Sequence, residues 1–216
     1  MNKKKLWILM GSIVIALLLI LLLIILSIPK KEEPFVAKTH STANGGTIYA
    51  LNKASESVAF NTDGTSVSDA LYEYKSKLGY SLQYNNKYYV DFGTKEYDFK
   101  ISSKDNLVNA TIAIIENNEE FKKSVSDIQT KEDWDNLMGT MLGESANFNK
   151  TTINNMVSFI ARYTLSLNDG QQMDMIYAML IGNKNIYNYM YSATPSASEI
   201  DATNIGNVLF TIKEFQ

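Results

Sequence analysis

The feature that most constrains this chain is a run of 23 residues, Leu6–Ile28, without a formal charge. At 1.5 Å per helical residue the run spans roughly 34 Å, enough for a hydrocarbon core of about 30 Å. Trp7 lies where an interfacial aromatic residue belongs. A cleaved signal peptide would have a shorter apolar region and a small-residue cleavage site. We therefore predict an uncleaved transmembrane helix over residues 6–28.

The charges that flank this run predict its orientation. Lys3, Lys4 and Lys5 precede it and favour a cytoplasmic N-terminus, although Lys30 and Lys31 on the other side oppose that bias. The predicted organisation is a cytoplasmic tip at 1–5, the helix at 6–28, a juxtamembrane linker at 29–46 and an extracytoplasmic domain at 47–216. The expected location is the cell membrane, with a single pass.

Composition limits the function of the domain. Beyond the three N-terminal lysines the chain carries 17 positive and 23 negative charges, so it should repel phosphate backbones and we expect no nucleic-acid partner. The absence of cysteine excludes disulfides, thiolate metal sites and cysteine nucleophiles. The one histidine, His40, lies in the predicted linker, so a serine hydrolase triad in the domain would have no histidine as its base. We expect no cofactor, no metal site and no enzymatic activity.

The hydrophobic pattern of the domain predicts an α+β fold with an antiparallel sheet packed by helices. A helix is predicted from a Ser66–Asp69 capping pair to Leu78, a strand–turn–strand over Tyr80–Phe92, and an amphipathic helix after a Thr130–Asp133 capping pair. Three long strands follow. They are Met156–Leu167, Gln172–Gly182 and Asn185–Ser192, and a helix with a Ser196–Glu199 cap closes the chain.

Residues 80–216 resemble the PsbP-like fold, named after an extrinsic protein of photosystem II. The resemblance lies in the early strand–turn–strand, the meander with its Asp169–Gly170 turn, and the closing segment with Ile205, Val208, Leu209, Ile212 and Phe215. A proline usual after the first strand is replaced by Asn85 and Asn86. The resemblance implies a fold. It carries over no functional residues, because this fold serves unrelated roles.

Tyrosines on the last long strand and one arginine are the candidate site residues. Alternation puts Tyr187, Tyr189 and Tyr191 on one face, which either binds a partner or forms the core beneath the helices; we favour the core. Arg162, the only arginine, either pairs with a buried acid or anchors an interface. Acids that could be drawn into a glycosidase-type pair are better explained as helix-terminal and solvated residues. They are Glu116, Glu119, Glu120, Asp133 and Asp135.

The leading hypothesis is a membrane-anchored extracytoplasmic interaction domain, an accessory factor of a bacterial cell envelope with an envelope protein as its partner. The first alternative is an extracytoplasmic ligand-binding or sensing domain that reports to a membrane partner. The second is a cell-wall enzyme. An exposed Tyr/Met patch would favour the interaction domain. A closed apolar pocket would favour the sensing domain, and a polar cleft with converging acids would favour the enzyme.

Overall fold

A computed structural model describes residues 38–57, 70–93, 96–116, 119–138, 147–167 and 170–215. The chain divides into two units, Met1–Phe35 and Val36–Gln216, and all described residues belong to the second. The predicted transmembrane helix lies outside the described residues. Among the helices that are described, none has the length and apolar character needed to span a membrane.

Five strands of the described residues form a first, antiparallel sheet in the order β1–β2–β3–β4–β12. Side chains alternate between its faces, so that the tyrosines of β3 and β4 and Leu82 point inward while their neighbours, Leu71 among them, point outward. The strands are β1 (Thr39–Ser41), β2 (Thr47–Ala50), β3 (Leu71–Lys75), β4 (Tyr80–Asn85) and β12 (Lys213–Glu214).

The second sheet has seven described strands in the order β5–β6–β7–β11–β10–β9–β8, again antiparallel. Its centre is the meander of long strands predicted from the sequence. The strands are β5 (Tyr89–Phe92), β6 (Phe99–Ser102), β7 (Val108–Glu116), β8 (Asn147–Ile153), β9 (Met156–Ser166), β10 (Gln172–Ile181) and β11 (Asn185–Ala193).

The two sheets share one hydrophobic core that is dominated by aromatic rings. Phe99 of the second sheet lies 5.5 Å, centroid to centroid, from both Tyr74 and Tyr84 of the first. Tyr80 lies 5.3 Å from Tyr187 across the same interface. Offset and edge contacts of this kind add to the free energy of simple burial.

Helices cover both faces of the second sheet. On the outer face lie α2 (Glu119–Ser126) and α3 (Lys131–Met138), where the Trp134 ring packs 5.7 Å from Phe159. On the inner face, α4 (Glu199–Gly206) lies over β11, and the 3-10 helix that follows it (Asn207–Thr211) lies beside β4. A short α1 (Lys53–Ser57) follows β2.

Four local predictions differ from the structure. The predicted helix ending at Leu78 is wrong over 71–75, which form β3 because Tyr72 and Tyr74 alternate into the core between two partner strands. Thr39–Ser41, assigned to the linker, pair with β2. The strands of Tyr80–Phe92 exist but belong to different sheets, so they do not form a hairpin. Ser198, not Ser196, precedes α4, and its side chain makes no capping bond.

Candidate functional site

The three tyrosines of β11 lie in the core. Tyr187 and Tyr189 are fully buried and Tyr191 is 6% exposed. The Tyr189 hydroxyl donates to the Ile205 carbonyl at 2.8 Å, and the Tyr191 hydroxyl donates to the Ala202 carbonyl at 3.3 Å. The core interpretation of this face is thereby confirmed. The partner-binding role of these three tyrosines stays a prediction, and their rings offer little surface to a partner.

Arg162 lies at the uncovered end of the same inner face. In the register of the meander, Arg162 of β9 is opposite Ile176 of β10, and Ile176 is opposite Tyr191 of β11. The three side chains therefore form a row across three strands on one face. Thr164 and Asp174 form the next pair along the same face.

These residues line an open groove of about 530 Å³, here called the Arg162 groove. Arg162, Thr164 and Asp174 are exposed, while Ile176 is half-buried and Tyr191 is buried at the floor. The groove thus combines an apolar and aromatic floor with charged walls. Its lining comprises Arg162, Tyr163, Thr164, Asp174, Met175, Ile176 and Tyr191.

Two opposite charges act on the floor of the Arg162 groove. Burial raises the pKa of Tyr191, the nearby Asp174 carboxylate raises this pKa further, and the Arg162 guanidinium opposes the rise. The Tyr191 hydroxyl therefore stays protonated at neutral pH and keeps its hydrogen bond to the Ala202 carbonyl. Thr164 already donates to Asp174, at 3.3 Å.

The Arg162 guanidinium has no acceptor within the described part of the chain, since neither the ion pairs nor the side-chain hydrogen bonds of that part include it. No acidic side chain among the described residues therefore forms the ion pair with Arg162 that the first sequence-based alternative predicts. A planar guanidinium with five donors is suited to a carboxylate or a phosphate, which it can hold through two parallel hydrogen bonds.

A buried carboxylate that sequence reasoning missed connects the two sheets. Asp98, just before β6, accepts hydrogen bonds from the Tyr74 hydroxyl at 3.1 Å, Ser76 Oγ at 2.7 Å, the Tyr80 hydroxyl at 2.9 Å and Asn44 Nδ2 at 3.0 Å. Burial, followed by the Asp98 charge, raises the pKa of Tyr74 and of Tyr80. Four neutral donors thus satisfy the carboxylate, and we interpret it as structural.

A second carboxylate fixes the end of the chain to the turn after β10. Glu214 accepts from the backbone N–H of Asn183 at 2.7 Å, from that of Lys184 at 3.0 Å and from the Tyr187 hydroxyl at 3.0 Å. Partial burial raises the pKa of Glu214, but the N–H donors of Lys184 and Asn183, together with the Tyr187 hydroxyl and the Asn185 N–H, outweigh burial and leave this pKa lowered. No sequence motif predicts this contact, because Lys184 and Glu214 are 30 positions apart in the chain.

The acids considered for catalysis have local roles where they are described. The Asp133 carboxylate accepts from the backbone N–H of Thr130 at 2.9 Å, and Thr130 Oγ1 accepts from the backbone N–H of Asp133 at 3.1 Å, which confirms the predicted capping box. Asp135 pairs with Lys131 one turn away. Glu120 is exposed, and the side chains of Glu116 and Glu119 lie outside the described set. Within the described ranges, no three acidic or histidine side chains converge as metal ligands.

The fold is PsbP-like, as the sequence predicted. The chain is similar to the solution structure of cyanobacterial PsbP (CyanoP) from Synechocystis sp. PCC 6803, with a TM-score of 0.54 and 14% identity over 70% of this chain and 96% of that chain. It is also similar to a crystal structure from Bacteroides thetaiotaomicron VPI-5482, with a TM-score of 0.43 and 10% identity over 63% of this chain and 45% of that chain. No protein family and no curated protein matches the sequence.

Proposed function

We propose that this chain is a membrane-anchored, extracytoplasmic interaction domain of a bacterial cell envelope that contacts an envelope protein through the Arg162 groove. The uncharged run Leu6–Ile28, with lysines before it, supports the anchor and its orientation. The observation that carries the binding site is the exposed Arg162 guanidinium, which no acceptor in the described part of the chain satisfies.

The chemistry of the groove defines the partner segment. Arg162 suits a carboxylate, and Asp174 suits a cationic side chain beside it. In an antiparallel pair, diagonal neighbours such as Arg162 and Asp174 have Cα atoms about 7–8 Å apart. A segment with one acidic and one basic side chain in close succession matches that spacing, and an apolar side chain of the segment would pack on Ile176.

The alternative is a small-molecule sensing domain. A volume of about 530 Å³ lies within the roughly 300–1,000 Å³ of small-ligand sites. A free amino acid would place its carboxylate on Arg162 and its ammonium group on Asp174. The open shape of the groove favours the protein segment, because small-ligand sites usually enclose most of the ligand surface.

The experiment is crosslinking in intact cells, followed by purification of the anchored chain and mass spectrometry. We expect wild type to capture a defined envelope protein and Arg162→Glu to lose it, because the reversed charge repels the partner carboxylate. The matched control is Lys104→Glu, which reverses an exposed cation in the turn after β6 and should leave capture unchanged. Equal capture by wild type and Arg162→Glu would contradict the proposal.

The alternative has its own measurement. The full chain is titrated calorimetrically with an amino-acid mixture. If the partner is a protein, wild type and Arg162→Glu should give the same heat of binding. Saturable binding of an amino acid that Arg162→Glu abolishes would favour the sensing domain.

A further inference from the structure

A second, smaller cavity lies between β4 and the closing 3-10 helix, where the two are joined by hydrogen bonds. Thr211 Oγ1 accepts from the Gln83 backbone N–H at 2.9 Å and donates to the Val208 carbonyl at 2.8 Å. The cavity has a volume of about 230 Å³. Its lining comprises Leu71, Gln83, Tyr84, Asn85, Tyr88, Ile101, Asn204, Asn207, Val208 and Thr211.

The lining is polar but uncharged. Four of its side chains are carboxamides, three more carry hydroxyls, and the other three are aliphatic. Among the described residues, two ion pairs flank the lining, and in each pair the charges satisfy one another. Lys87 pairs with Asp201 at 2.8 Å, and the Tyr88 hydroxyl also donates to Asp201 at 3.0 Å. Glu73, opposite Gln83 in the strand register, pairs with Lys213 at 3.1 Å. An ionic ligand would therefore lose its hydration without gaining a counter-charge.

Several polar groups of this cavity have unused hydrogen-bonding capacity. The Tyr84 hydroxyl is buried with no hydrogen-bond partner among the described residues, although burial of such a group is costly. The side chains of Gln83 and Asn207 likewise make no hydrogen bond to the residues that the structure describes. Each carboxamide offers two donors and an acceptor in one plane.

We propose that this cavity binds one neutral sugar ring. The carboxamides of Gln83 and Asn207 match adjacent sugar hydroxyls, because each can donate to one and accept from the other. Leu71, which is partly exposed, supplies apolar surface for the C–H face of the ring. The volume is below the roughly 300–1,000 Å³ of drug-sized sites, which suits a single ring. This inference does not depend on the Arg162 groove.

The test uses the full chain in phospholipid nanodiscs, since many detergents carry sugar head groups. Saturation-transfer NMR and titration with N-acetylglucosamine and with glucose measure binding, and glucuronate serves as the charged probe. We expect saturable binding of at least one neutral sugar and weaker binding of glucuronate. Gln83→Ala and Asn207→Ala should each weaken the affinity about two- to tenfold, the range for one lost hydrogen bond. Gln172→Ala, at an exposed glutamine of β10, is the matched control.

The proposal is overturned if no neutral sugar binds saturably, or if Gln83→Ala and Asn207→Ala bind as wild type does. It is also overturned if a neutral dipeptide amide binds and the sugars do not.

Discussion

The Tyr80 hydroxyl donates a hydrogen bond of 2.9 Å to the Asp98 carboxylate, and this contact joins the first sheet to the second. Tyr80 is in β4, and Asp98 directly precedes β6. Because Asn44, Tyr74 and Ser76 converge on the same carboxylate, the segment before β2 is held by the same group. The polar centre of the sandwich is therefore one carboxylate with four donors.

Asp98→Ala should destabilise the domain by about 3–5 kcal/mol, because it leaves several buried donors without an acceptor. Tyr80→Phe removes one donor and should cost only about 0.5–1.5 kcal/mol. Urea unfolding of the full chain, followed by tyrosine fluorescence or circular dichroism, measures both. Equal losses for the two variants would contradict the central role of Asp98.

Trp134→Ala should cost about 3–5 kcal/mol, as is usual when a buried indole is deleted. Its ring contacts Phe148, Phe159 and Tyr177, which together attach α2 and α3 to the outer face. Hydrogen exchange should then show faster exchange in 119–138 than in β11. A Trp7→Phe background leaves Trp134 as the only indole, and its emission should resist acrylamide quenching. Ready quenching in that background would contradict the burial of Trp134.

The Glu214 contact should make stability depend on pH. Its pKa is lowered in the folded state, so this contribution is present above the unfolded pKa of about 4.3 and is lost as pH falls through the folded pKa. Glu214→Gln lacks the charge. The difference in urea midpoint between wild type and Glu214→Gln should therefore be larger at pH 6 than at pH 3. A difference that stays constant over this range would show that the Glu214 charge does not act through the turn.

Strong local signals explain what the sequence predicted well. The strands β9, β10 and β11 are long, apolar and separated by turn residues, so they are recognisable without distant contacts. The Thr130–Asp133 pair marks the start of α3 because both hydrogen bonds form within four residues. The PsbP-like resemblance also depended on this order of elements.

Tertiary pairing explains what the sequence did not predict. In 71–78, Leu71, Tyr74 and Leu78 have helical spacing, while Tyr72 and Tyr74 have strand spacing, and the pairing of β3 with β2 and β4 decides between them. Likewise, composition singles out Arg162 as the only arginine of the sequence, but its neighbours Asp174 and Tyr191 follow only from the register of three strands. The donors to Asp98 are up to 54 positions away, beyond any local pattern.

The most direct test of the proposed function is photocrosslinking from the Arg162 groove in intact cells. p-Benzoylphenylalanine at Thr164 places the probe on the exposed wall of the groove, and the same residue at Phe210, an exposed aromatic on the 3-10 helix, is the control. We predict a defined crosslinked envelope protein from position 164 that disappears when Arg162→Glu is added, and no such product from position 210. The same product from position 164 with and without Arg162→Glu, or no product from that position, would contradict the proposed function.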